Sequence, residues 1–206
     1  MTESQEAAEY LARHKMAAKS SPTCGLTRYN YAVALLAQNY FDEAEKELLS
    51  AVTCSPTLAE GYVLLGGICM NRGDLDGCLQ YNTKAVQIRE NFAEGYGNIG
   101  FVYLQQGKPE EAAAALEKAV SCNPNFLQAY TNLANAYLMQ GLIEKSIAAN
   151  QKALEIEPAF ALAHYNLALA YLEKGEAASA VHHCDRAAEL GYEIPEKISK
   201  EIDRVR

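Results

Sequence analysis

The sequence lacks an excess of positive charge: 18 Lys and Arg stand against 26 Asp and Glu in 206 residues, a net charge of -8. A surface of that average sign repels a phosphate backbone, so nucleic acid is not expected as the main partner. Long apolar runs are missing too. The longest aliphatic run, Ala32 to Ala37, is far short of the ~20 residues a membrane helix needs, and no membrane insertion is expected. The opening Met1-Thr2-Glu3-Ser4-Gln5-Glu6 is acidic where a secretory leader is basic, and no apolar stretch follows it before Arg13. The expected location is the cytoplasm. Cys24, Cys54, Cys69, Cys78, Cys122 and Cys184 are scattered with no CxxC spacing, which predicts reduced thiols rather than a disulfide framework. Also absent are HExxH, GxSxG, a Walker A loop and any nucleophile set beside a general base, so no enzyme and no cofactor are expected.

What the sequence does have is a core and a period. Half of its residues are apolar and 21% are charged, which excludes disorder. Ala17, Ala51, Ala85, Ala119, Ala153 and Ala187 recur every 34 residues. Pro22, Pro56, Pro124 and Pro158 keep that register, with Glu90 and Tyr192 where proline is missing. Asn39, Gly73, Gly107, Gly141 and Gly175 form a third series, and the small residues Ala32, Gly66, Gly100, Ala134 and Ala168 a fourth.

Each series has a mechanical reading. Small side chains let two helix axes approach to about 8–10 Å. A glycine or asparagine between two helical patterns supplies the positive φ that ends the first helix. Proline cannot continue the second. Tyr96, Ile99, Gly100 and Tyr103 fall at i, i+3, i+4 and i+7 of one helical face, and Tyr130, Leu133, Ala134 and Tyr137 repeat the pattern. No stretch alternates with period two, so no sheet is expected.

With these residues in view, the sequence resembles the tetratricopeptide repeat (TPR) family over about residues 25–194. Tyr130, Leu133, Ala134, Tyr137, Ser146, Ala153 and Pro158 follow the family pattern, with Asn150 in place of a large apolar residue. Arg28 replaces the aromatic of the first unit, while Cys69 and Cys78 replace the tyrosine and the small residue of the second. The resemblance implies an all-α fold, a right-handed α-solenoid of antiparallel helix pairs in one continuous superhelix. Its expected parts are an N-terminal capping helix over 1–24, repeats at 25–58, 59–92, 93–126, 127–160 and 161–194, and a capping helix at 195–206. Ile194, Ile198, Ile202 and Val205 give that last segment an apolar stripe.

In this family the first helices line a concave groove. Carried onto this chain, the groove positions include Leu26, Tyr29, Asn30, Glu60, Leu64, Asn98, Phe101, Gln128, Asn132, Asn135, Tyr165, Asn166 and Leu169, with no lysine or arginine among them. A clamp for a C-terminal carboxylate needs several converging cations, so a chaperone-tail adaptor is disfavoured. Asn30, Asn98, Asn132 and Asn166 share one repeat position, interrupted by Leu64. An amide can donate to a peptide carbonyl and accept from its N–H at once. The same amides can instead hydrogen-bond neighbouring repeats, and both readings stay open. Tyr29, Phe101, Tyr165 and Leu169 are candidate apolar anchors, or ordinary packing.

Two further patterns suggest chemistry. Gly95-Tyr96-Gly97-Asn98-Ile99-Gly100 spells GxGxxG, but it falls inside a helical pattern, where it cannot turn beneath a pyrophosphate. His182-His183-Cys184-Asp185 are metal-ligand types, but successive helical residues point about 100° apart, so at most one or two could join His164. Solvated histidines, a packed Cys184 and no metal are expected. The function expected is a non-catalytic scaffold or adaptor that binds a peptide or helix of a partner protein in the groove. A structural protein self-assembling through its groove or capping helices, and a regulatory or targeting subunit of a separate enzyme, are the alternatives.

Overall fold

The computed structural model describes residues 3–206, with side chains from residue 5 onward. Twelve helices and no strand are found among the described residues. They are α1 (Glu3–Ser20), α2 (Gly25–Leu36), α3 (Phe41–Cys54), α4 (Ala59–Asn71), α5 (Leu75–Ile88), α6 (Ala93–Gln105), α7 (Pro109–Cys122), α8 (Leu127–Met139), α9 (Ile143–Ile156), α10 (Ala161–Lys174), α11 (Ala177–Glu189) and α12 (Glu196–Val205). By internal contact they fall into two compact units, Met1–Asn98 and Ile99–Arg206, divided within α6. The GxGxxG run lies wholly inside α6. No helix among the described residues is long and apolar enough to cross a membrane.

One turn recurs five times because one backbone conformation ends each first helix. Asn39 adopts φ +60°, and Gly73, Gly107, Gly141 and Gly175 lie between +69° and +80°. The residue after each one donates its N–H back across the turn: Tyr40 to the Leu35 carbonyl, Asp74 to Cys69, Lys108 to Tyr103, Leu142 to Tyr137 and Glu176 to Tyr171, at 2.8–3.0 Å. This is the Schellman closure, and it reverses the chain in three residues. Asparagine holds the first of these turns because its short polar side chain tolerates the left-handed region.

Packing inside each pair follows the small-residue series. Gly66 of α4 faces Asn82 of α5, and Gly100 of α6 faces Leu116 of α7, so closely that a β-carbon on either glycine would collide with the facing side chain. Ala32 and Leu48 share a buried cluster with Leu35, Val52, Leu65 and Ile68 in the first unit. Ala168 and Cys184 share another with Ala180 and Ile202 in the second. In that cluster Ile202 is buried and Ile194 and Ile198 are partly covered, whereas Val205 is exposed. Pro195 sets the start of α12 and leaves Ile194 ahead of the helix.

Adjacent glycines test this geometry. Gly66→Ala drives a methyl into the fixed Asn82 amide and is expected to cost about 1–3 kcal/mol. Gly67→Ala meets nothing within 4 Å, and gains helix propensity of roughly 0.5–1 kcal/mol. Urea denaturation of the two variants should therefore move the midpoint in opposite directions.

Candidate functional site

The sequence-predicted groove residues lie on the first helix of each pair, and each unit presents its own set. In the first unit Tyr29 and Asn30 on α2 and Asn98 on α6 are half-buried. In the second, Phe101 on α6, Asn132 on α8, and Tyr165, Asn166 and Leu169 on α10 are half-buried, while Asn135 on α8 is exposed. On α8 the spacing brings Gln128, Asn132, Asn135 and Met139 to one stripe, about a quarter-turn or more round the helix from the buried Ala129, Leu133 and Ala136. Helices α8 and α10 pack against each other, so this stripe adjoins that of α10.

The four asparagines do not share one environment. Asn98 donates from Nδ2 to Oδ1 of Asn82 at 2.9 Å. Asn82 is completely buried on α5 and in turn donates to the Cys78 carbonyl at 2.8 Å. Burying a side-chain amide without partners costs roughly 1–3 kcal/mol. The Asn82–Asn98 pair thus answers a requirement of the core, and part of Asn98 is already engaged.

The offset of sixteen residues between these partners recurs along the chain. Asn166 stands in the same register to Asn150, Asn30 to His14, and Leu64 to Leu48. Each of these combinations is matched, polar with polar or apolar with apolar. Asn150 is completely buried and donates to the Ser146 carbonyl at 3.2 Å, while its Oδ1 and the Nε2 of His14 are buried acceptors or donors without a partner. Asn132 is the exception: the residue sixteen places before it is Leu116, completely buried and unable to hydrogen-bond. Among the described residues its side-chain hydrogen bond is a 3.5 Å approach from Nε2 of Gln128 on the same stripe.

The aromatic candidates divide in the same way. Tyr165 stacks on Tyr192 with ring centroids 4.6 Å apart, which makes it part of the packing between α10 and the segment after α11. Tyr29 packs against the first unit's core, and burial, with Glu60 nearby, pushes its phenol up. Phe101 and Leu169 remain half-buried on their first helices.

Cysteine and histidine candidates resolve differently from one another. All six cysteines are free, with Cys69, Cys78 and Cys184 buried. Burial pushes the Cys78 thiol up to about 11, so it stays protonated and unreactive. His183 departs from the solvated state expected of it. The reason is that helix α11 turns it onto His164 of α10, Nδ1 to Nδ1 at 2.9 Å, while His182 alone stays exposed. Among the described residues no group of three or more His, Cys, Asp or Glu side chains converges in a way that could hold a metal.

The sixteen-residue offset was readable only with Asn82 and His14 in view as polar residues at core positions of the repeat. A double-mutant cycle tests the pairing. Asn82→Leu strands Asn98, and Asn98→Leu strands Asn82, whereas the double leucine variant recreates the Leu48/Leu64 combination beside a glycine that accommodates Leu116 elsewhere. The double variant is expected to be more stable than the sum of the singles predicts, by about 1 kcal/mol or more in chemical denaturation.

Three profiles described as tetratricopeptide repeat match residues 99–159, 149–182 and 25–48. No curated protein matches the sequence. Among solved structures, the fragment of MamA from residue 41 to its end, from Desulfovibrio magneticus RS-1, is 25% identical, with a TM-score of 0.72 over 81% of this chain and 94% of that one. YrrB, described as a TPR protein with an unusual peptide-binding site, is 18% identical, with a TM-score of 0.76 over 93% and 97%. Pseudomonas aeruginosa pilF is 17% identical, with a TM-score of 0.75 over 88% and 86%. Periodicity, turn geometry and profile agree: the chain belongs to the tetratricopeptide repeat family.

Proposed function

We propose that the chain is a non-catalytic protein-interaction scaffold that takes an extended peptide or a helix of a partner on the faces of its first helices. The observation that carries this reading is the stripe of Gln128, Asn132, Asn135 and Met139, whose central asparagine has a leucine sixteen places before it and, among the described residues, hydrogen-bonds only Gln128 of the same stripe. Asparagine is a poor helix residue unless its amide is used. Asn132 and Asn135 supply paired donors and acceptors for peptide bonds, and Phe101 and Leu169 supply apolar contact in the same unit. Asn98 is partly engaged by Asn82 in the core, and its contribution to a ligand is correspondingly smaller. Tyr165 adds area in the same unit, and Tyr29 and Asn30 belong to the first unit's own set. The absence of lysine and arginine from these positions favours a ligand read through its backbone and apolar side chains over one read through an acidic tail. YrrB, a protein of the same fold, is described as having a peptide-binding site.

Selection from a displayed peptide library, followed by calorimetry on the synthetic ligand, tests the proposal. Asn132→Ala and Asn135→Ala are each expected to weaken the selected peptide about 5–10-fold, the effect of one lost hydrogen bond, with unchanged helicity. A ligand that survives both changes at full affinity sinks the proposal for this stripe.

A further inference from the structure

The His164–His183 pair occupies a place where the other helix pairs carry different chemistry. In the first pair the matching residues are Arg28 and Glu47, joined by a 2.7 Å salt bridge. In the second they are Tyr62 and Tyr81, and in the fourth Tyr130 and Ala149. Only the last pair, α10 with α11, fills the position with two imidazoles, and the contact is built on every side. His183 stacks parallel on Tyr171 of α10, with an interplanar angle of 7° and centroids 5.5 Å apart. His164 is buried, and its Nε2 lies 3.2 Å from the Pro158 carbonyl in the turn between α9 and α10.

These partners assign the protons. A carbonyl only accepts, so Nε2 of His164 carries a hydrogen, and Nδ1 of a neutral His164 is an acceptor. His183 therefore donates its Nδ1–H to His164 Nδ1 at 2.9 Å. One further proton can be held on Nε2 of His183 without disturbing that bond. The next must go to Nδ1 of His164, where it meets the Nδ1–H of His183 head on, and the two donors cannot stay 2.9 Å apart. We propose that the His164–His183 contact is an acid-sensitive latch that fastens α10 to α11 in its neutral form and releases them when both rings are charged.

The surroundings favour the neutral form. The charged and titratable groups that face the two rings, besides each other, include Tyr171 of α10 and His182 and Arg186 of α11, and none of these is a carboxylate. The group reaching them from the α9 side is the Pro158 carbonyl. Burial and the neighbouring imidazoles push His183 down to about 4, and burial foremost lowers His164. Because the open state binds protons near the ordinary histidine value, about 6.5, the latch is fully closed above that pH. It weakens as pH falls from there towards 4. Helix α10 also carries Tyr165, Asn166 and Leu169, but the latch stands on packing and proton geometry and does not depend on what those residues bind.

The chain itself provides the control. The double variant His164→Tyr, His183→Ala rebuilds the Tyr130/Ala149 arrangement of the fourth pair and removes both titrating groups. Native-state hydrogen exchange, expressed as protection over the intrinsic rate, is compared at pH 7 and pH 5. In the wild type, protection of α10 and α11 is expected to fall on the order of tenfold relative to α8 and α9, after allowance for the partial exposure of His183. In the double variant it is expected to stay level. An equal fall in both proteins, or none in either, overturns the latch. Ring-proton NMR of the wild type decides the matter independently of any variant: a His164 and a His183 that both titrate near 6.5 in the folded chain, with α10 and α11 still protected, also overturn it.

Discussion

Each helix pair depends on how closely its two axes approach at one buried contact, between a small residue of the first helix and the residue sixteen places later on the second. Gly66 with Asn82 and Gly100 with Leu116 are so close that a single methyl group does not fit, and Ala32 and Leu48 share one cluster. Closeness is needed because a TPR pair has little else to bury: each pair covers its apolar faces only against its immediate neighbours. The turns serve the same contact. Five Schellman closures reverse the chain within three residues and so hold the second helix at the separation that the small residues permit.

The larger residue of that contact has a second neighbour. Asn82 fills the space left by Gly66 on its own pair and also receives Asn98 from the next first helix. One position on the second helix therefore communicates with the face on which a ligand is proposed to lie. At Asn82 the buried amide is met by a polar residue sixteen places on, and a leucine at the equivalent position makes no such demand on the next first helix. Leu48 with Leu64, Asn82 with Asn98 and Asn150 with Asn166 are matched in polarity along the sequence, and the hydrogen bond is formed between Asn82 and Asn98. The chemistry of the outer face is thus partly inherited from the core.

Much of the fold was legible in the sequence because it repeats. Five copies of a turn signal and five of a small-residue signal each report the same local geometry, and the positive φ values at Asn39, Gly73, Gly107, Gly141 and Gly175 agree with the conformation the residues demand. The candidate site was less legible, because its asparagines occupy equivalent positions but have different partners. Asn98 and Asn132 share one repeat position; what separates them is the residue sixteen places earlier, on a different helix, Asn82 for one and Leu116 for the other. His183 was misread for a similar reason. Helical geometry excludes three successive ligands around one ion, but it leaves open a single histidine turned across to His164.

The repeat also explains how one fold can hold unlike chemistry at one place. The position filled by Arg28 and Glu47, by Tyr62 and Tyr81, by Tyr130 and Ala149, and by His164 and His183 lies at the margin of each pair's core, where a contact must fill space but need not be apolar. A salt bridge there persists across neutral pH, and a tyrosine over an alanine has nothing to titrate near neutrality. Two imidazoles fill the same margin with a hydrogen bond that exists only while at least one ring is neutral. Because neighbouring pairs share only their interfaces, such a substitution changes how one pair responds to its surroundings without altering the turn and small-residue signals that fold the others.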